Sequence, residues 1–172
     1  DIITGGDGND IIAGKGGSDT LTGGTGNDLF KVETATDSVL DLTTGDNFQV
    51  SGTAVMNATG VTAFSAGGTI SNASTSTANI HAHSTTSSSI DMSGAGSGKF
   101  KLFVGAGTDT IKGGGSDDII TISSSGQGDA DTIDGHSGTG DVLALSTGTH
   151  TFNDNNKLKN IETITTHSSG ST

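Results

Sequence analysis

The chain has 172 residues, 29 of them glycine, no proline, cysteine, tryptophan or tyrosine, and a formal charge of -12. With 29% hydrophobic and 3% aromatic residues it lacks the apolar content of a broad two-layer core, and so acidic a composition is otherwise that of a disordered chain. No apolar run approaches the roughly 18 residues of a membrane span, and an acidic chain whose only basic side chains besides histidine are lysines argues against a nucleic-acid partner.

The first segment carries a strict period. Asp1, Asp10, Asp19 and Asp28 recur every nine residues, each followed two places later by Ile3, Ile12, Leu21 or Phe30. Asp37 with Val39 and Asp46 with Phe48 hold the same phase. A fixed short period predicts a solenoid, and an ordered one in spite of the composition. The unit reads G-G-x-G-x-D-x-U-x, where U is large and apolar. Residues 5–13 (GGDGNDIIA) and 23–31 (GGTGNDLFK) fit it fully, and residues 14–22 (GKGGSDTLT) carry Lys15 in the second glycine slot. The first six positions predict a tight turn, where glycine permits positive φ. The last three predict a short strand with U pointing inward. Asp1-Ile2-Ile3-Thr4 is the second half of such a unit, so the chain is expected to be a piece of a longer protein.

Two units make one coil, so like turns stack about 4.8 Å apart. That aligns Asp1 with Asp19 on one edge and Asp10 with Asp28 on the other. Carboxylates about 5 Å apart repel by about 3 kcal/mol at an effective dielectric of about 20. A bare column of them is not tolerable. Carboxylates together with turn carbonyls form an all-oxygen site, which suits calcium better than magnesium.

These repeats resemble the RTX (repeats-in-toxin) family of calcium-binding parallel β-rolls, closely over 1–50 and loosely over 104–145. The resemblance implies an all-β fold, a parallel β-roll or β-helix solenoid with calcium between turns one coil apart. Carried over, one site takes Asp10 and Asp28 with the carbonyls of Gly6, Gly8, Gly23 and Thr25. Another takes Asp1 and Asp19 with the carbonyls of Gly14 and Gly16. A third uses Asp19 and Asp37, although VETAT replaces the glycine turn before Asp37. The stretch DSVLDLTTGDNFQV (37–50) resembles the coil that closes such a roll, which makes 1–50 the first unit; there Asp37, Asp41 and Asp46 read equally as ordinary turn or strand-end aspartates.

Residues 51–103 form the second unit, rich in Ser, Thr, Ala, Gly and Asn, with Asp91 the single charge before Lys99. Ile70, Ile80, Ile90 and Phe100 recur every ten residues, amid period-two alternation that predicts strands with one buried face. In GAGSGK (94–99) a lysine takes the aspartate slot, so no metal is expected there. His81 and His83 share one strand face; two imidazoles without a third ligand read as outward polar residues rather than a zinc site.

The phase returns in residues 104–172, the third unit. VGAGTDTIK (104–112) and GGGSDDIIT (113–121) give Asp109 and Asp118, and the looser turns that follow give Asp131 and Asp141. Pairing one coil apart predicts sites at Asp109 with Asp129 or Asp131, and at Asp118 with Asp141. LKNIETITT (158–166) resembles a closing strand.

The expectation for function is structural. The chain resembles part of a secreted bacterial surface protein (an S-layer subunit, extracellular fibre or adhesin), exported by type I secretion, holding roughly four to six calcium ions and self-associating into a lattice or filament. The alternative is the calcium-binding C-terminal module of a secreted protease or lipase. No activity is expected within the chain: it has no HExxH, no GxSxG, and no arginine, tyrosine or tryptophan to line a sugar groove.

Overall fold

A computed structural model describes residues 1–73, 75–123, 130–152 and 157–166. Eighteen strands and no helix appear among them. The first three coils each have two strands: β1 (Ile2–Asp7) and β2 (Ile11–Ala13), β3 (Thr20–Thr25) and β4 (Leu29–Val32), β5 (Thr36–Val39) and β6 (Asn47–Val50). The fourth has three, β7 (Val55–Val61), β8 (Ala63–Ser65) and β9 (Ser71–Asn72). Pairs then resume with β10 (Thr77–Ala82) and β11 (Ser89–Asp91), β12 (Phe100–Val104) and β13 (Thr110–Lys112), β14 (Ile119–Ile122) and β15 (Thr132–Asp134), β16 (Val142–Leu145) and β17 (Leu158–Lys159), before β18 (Thr163–Thr166).

The strands stack into a parallel β-solenoid. One face is a nine-stranded sheet in the order β1-β3-β5-β7-β10-β12-β14-β16-β18. The opposite wall is two sheets, β2-β4-β6-β9 and then β8-β11-β13-β15-β17, and the chain passes from one to the other in the fourth coil. Along the long sheet one column stacks Ile3, Leu21, Val39, Ala58, Ile80, Leu102, Ile120, Leu143 and Ile164, the first half-buried and the last exposed. From Leu21 to Leu143 each is buried. They face Ile12, Phe30, Phe48, Phe64, Ile90, Ile111 and Ile133 from the other wall. Truncating such a residue to alanine typically costs 2–5 kcal/mol. Where the wall changes sheet, Phe48 stacks on Phe64 (6.2 Å) and meets Phe100 edge-on (6.1 Å).

The middle segment continues this solenoid. Ile70, Ile80, Ile90 and Phe100 are all interior. The coil expected to close a roll at residues 37–50 does not close it: β5 pairs with β7 and β6 with β9, so the ladder runs on. Coil length changes instead. Ile2 pairs with Thr20 and Thr20 with Ser38, an advance of 18 residues, whereas Asn57 pairs with Asn79 and Asn79 with Lys101, an advance of 22. Part of the extra length is absorbed by a bulge opposite Ile80 and Ala82, where Gly60 takes φ +71°.

This shift also moves the aspartate slot. Laying the glycines of GAGSGK on the motif puts Lys99 in it; the register puts Phe100 there, because Lys101 pairs with Ile119. The column that begins Asp1, Asp19, Asp37 continues through Met56, Ala78 and Phe100 before acid returns at Asp118, Asp141 and Glu162.

Candidate metal centre

A strand start carries each aspartate, and parallel pairing stacks these starts in columns. Asp1, Asp19 and Asp37 form one; Asp10, Asp28 and Asp46 form the other. One contact repeats down both. Oδ1 of each aspartate accepts the main-chain N–H of its neighbour one coil earlier: Asp10 donates to Asp28 (2.8 Å), Asp19 to Asp37 (3.0 Å) and Asp28 to Asp46 (2.9 Å). The nitrogen of Asp1 meets Asp19 in the same way, at 2.6 Å. The later block repeats the scheme from Ser88 to Asp109 (2.7 Å), Asp109 to Asp131 (2.7 Å), Phe100 to Asp118 (2.8 Å), Asp118 to Asp141 (2.6 Å) and Asp141 to Glu162 (2.8 Å). The carboxylate thereby extends the ladder past the end of the strand, and Asp19, Asp28, Asp37, Asp46, Asp109, Asp118, Asp131 and Asp141 are buried.

Oδ2 differs from position to position; that of Asp46 accepts the N–H of Thr43 (2.8 Å). In the first block, Oδ2 of Asp10, Asp19 and Asp37 is solvent-excluded and has no hydrogen-bond partner. Leaving a buried acceptor unsatisfied costs about 1–3 kcal/mol, more for a charge. These atoms converge. A methyl group placed on Gly14 would lie 2.5 Å from Oδ2 of Asp19 and 2.9 Å from Oδ2 of Asp37, so both oxygens face one small space. Over Gly5 the same construction meets Oδ2 of Asp10 at 2.5 Å and the carbonyl of Gly23 at 2.7 Å. In the second block, Oδ2 of Asp109 accepts the N–H of Gly105 (3.1 Å) and Oδ2 of Asp118 that of Gly114 (2.5 Å), within their own turns. Oδ2 of Asp141 has no partner.

Burial pushes the carboxyl groups of Asp37, Asp109 and Asp141 above the usual range, aided at Asp37 by the charge of Asp19 and at Asp141 by Glu162. Burial pushes Asp118 up to about 6. Such groups resist ionising without a nearby cation.

A hard cation fits this donor set: orphaned carboxylate oxygens, stacked glycine turns and carbonyls at one space. The expected pairs Asp10–Asp28, Asp1–Asp19, Asp19–Asp37, Asp109–Asp131 and Asp118–Asp141 all stand one coil apart. Asp129 lies outside the described residues. Gly24 and Gly26 (φ +103° and +131°) sit directly over the carbonyls of Gly6 and Gly8, a stacking closed to any side chain. The carbonyl of Thr25 is already engaged, accepting the N–H of Gly8 at 2.8 Å. Three further acids belong to the arrangement. Asp46 extends its column in phase. Glu162 ends the other. Asp41 accepts the N–H groups of Gly23 (2.9 Å) and Gly24 (2.8 Å), fastening the turn one coil earlier.

His81 stacks on Phe103, centroids 4.1 Å apart, and burial lowers its pKa. Among the described residues no three His, Cys, Asp or Glu side chains cluster as a metal site, so any ion in the columns leans on main-chain oxygen. No helix is long and apolar enough to cross a membrane.

Residues 1–30 and 101–121 match the family model of the RTX calcium-binding nonapeptide repeat, in four copies. Comparison with curated proteins and with solved structures yields no match.

Proposed function

Because the chain belongs to the RTX calcium-binding repeat family, we propose that it is a stiffening segment of a secreted surface protein, folded by extracellular calcium and built for an S-layer, fibre or adhesin rather than for catalysis. The observation that carries this is the pair of unpartnered, buried Oδ2 atoms of Asp19 and Asp37 facing one space over Gly14. Asp19 with Asp37, and Asp10 with Asp28 and the carbonyl of Gly23, would hold the ions; calcium supplies the positive charge that lets buried carboxylates stay ionised. The calcium-free coils continue the same sheet without a break. That favours a rigid rod over a set of separate modules.

The test is folding against free calcium. Circular dichroism and calorimetry of the metal-stripped chain should show loss of β signal or a lowered Tm at neutral pH, restored by millimolar calcium and not by equal magnesium. Identical melting in chelator and in calcium refutes the reading.

A further inference from the structure

The outer face of the later wall carries a charge ladder that the calcium sites do not use. In β11, β13 and β15 the middle residue is buried and the third faces outward. The register sets these third residues side by side: Asp91 beside Lys112, Lys112 beside Asp134, and Asp134 beside Lys159 of β17. The signs alternate, minus, plus, minus, plus, over about 14 Å at the ordinary strand spacing.

The two acids are held in place. Asp91 accepts the N–H (2.8 Å) and the hydroxyl (2.5 Å) of Ser93 on Oδ1. Asp134 accepts the N–H of His136 (2.9 Å) and the amide of Asn160 (2.7 Å), also on Oδ1. These bonds orient both carboxylates without neutralising them. Burial works against the Asp91 carboxylate, but the two bonds from Ser93, and after them the charge of Lys112, hold it below the usual range; among the described residues the ion pairs within 4 Å are the N-terminal ammonium with Asp19, and Lys99 with Asp117. Beside the ladder runs a row of small residues, Ala63, Ser89, Thr110 and Thr132, followed in register by Lys157, whose ammonium donates to the carbonyl of Ala130 (2.8 Å).

Such a ladder is complementary to itself. A two-fold axis in the contact plane, midway between Lys112 and Asp134, reverses the order of the facing copy. Asp91 then meets Lys159, and Lys112 meets Asp134, with no like charges opposed. Packing in the same order sets like against like at all four places. We infer that a second copy of this chain docks here, wall to wall and antiparallel. The inference rests on the calcium-folded state proposed above, because the metal-free chain carries its full negative charge into the contact.

The experiment is sedimentation velocity of the full chain in saturating calcium, at about pH 8. Folding is followed in parallel by circular dichroism, so that failure to fold and failure to associate are read separately. The wild type should dimerise at about 25 mM salt and dissociate at about 500 mM, where the Debye length falls to about 4 Å. K112D should be folded and monomeric. The all-acidic variant K112D/K159D and the all-basic variant D91K/D134K should each stay monomeric alone and form a heterodimer when mixed. A folded wild type that stays monomeric at low salt overturns the inference. So does a dimer that survives K112D, or folded all-acidic and all-basic chains that ignore each other.

Discussion

Gly14→Ala isolates the space between Asp19 and Asp37. Gly14 does not have a positive φ, so alanine meets no backbone penalty there. Its methyl group would stand 2.5 Å and 2.9 Å from the two Oδ2 atoms, in the position an ion shared between them needs. Gly16→Ala is the matched control, since a methyl there meets nothing within 4 Å. With a dissociation constant near 10⁻⁴ M and about 10 mM calcium, one site contributes about 2.7 kcal/mol, or about 5–10 °C in Tm for a chain of this size. Overpacking also costs about 1–3 kcal/mol without any ion. The informative quantity is therefore the increment in Tm on adding calcium, compared between variants. Gly14→Ala should lose most of one site's increment and one ion in titration calorimetry; Gly16→Ala should keep both. Should Gly14→Ala retain the wild-type stoichiometry and increment, the convergence of the two carboxylates has nothing to do with metal.

Acidity should partly replace calcium. The folded pKa of Asp118, about 6 against 3.8, means that the folded state binds the proton more tightly. Its stability is thus greatest below the unfolded value and is lost as pH rises through the folded one, by about 3 kcal/mol in all. Asp37, Asp109 and Asp141 act in the same direction. The metal-stripped chain should melt higher at pH 4.5 than at pH 7.5, and calcium should close the gap at pH 7.5; a Tm that rises steadily with pH in its absence contradicts this. Asp28→Asn keeps an oxygen to accept the N–H of Asp10 but loses the charge, so stability in chelator should be no lower than the wild type's while calcium affinity, measured by titration, drops at least about tenfold. Asp41→Ala removes two bonds to the Gly23–Gly24 turn and should cost about 1–3 kcal/mol by denaturant melts, by the same amount with and without calcium.

Nine-residue counting made most of this geometry legible while coils kept one length. Asp10, Asp19, Asp28 and Asp37 fall where the phase puts them, because two units per coil align every eighteenth residue. Asp46 was equally in phase, and only its glycine-poor turn obscured it. Lys99 was set in the slot by the glycines of GAGSGK, whereas the count of nines and the register both reach Phe100. The count departs from the column at Met56 and Ala78, because coils of 22 residues, one carrying a bulge at Gly60, let strand pairing rather than sequence interval decide which residue enters it. Asp41 and Glu162 had no periodic signal at all. Each is recognisable only once the turn or strand one coil away is in place to donate to it. The carbonyl of Thr25 shows another thing the interval does not carry: it accepts the N–H of Gly8 from the coil before, which leaves it one lone pair.

The three apolar rungs Met56, Ala78 and Phe100 explain how the rod tolerates two acidic blocks. A carboxylate at Met56 would stand next to Asp37 and one at Phe100 next to Asp118, with the wall closed around it, and each of the three is instead buried and apolar. From Asp37 to Asp118 the column advances four strand spacings, about 19 Å at about 4.8 Å each. That is about twice the Debye length at physiological ionic strength, so outside the wall the two blocks barely feel each other's charge. Loading one block with calcium therefore does little to the electrostatics of the other. What joins them is mechanical: one uninterrupted nine-stranded sheet and one aliphatic stack, in which Ala58, Ile80 and Leu102 transmit order from coil to coil. On the function proposed above, the middle coils need no ion to fold and the acidic turns at their two ends do. Calcium at either end thus stabilises the centre through packing, and the centre holds the two blocks in register without adding a charge of its own to either column.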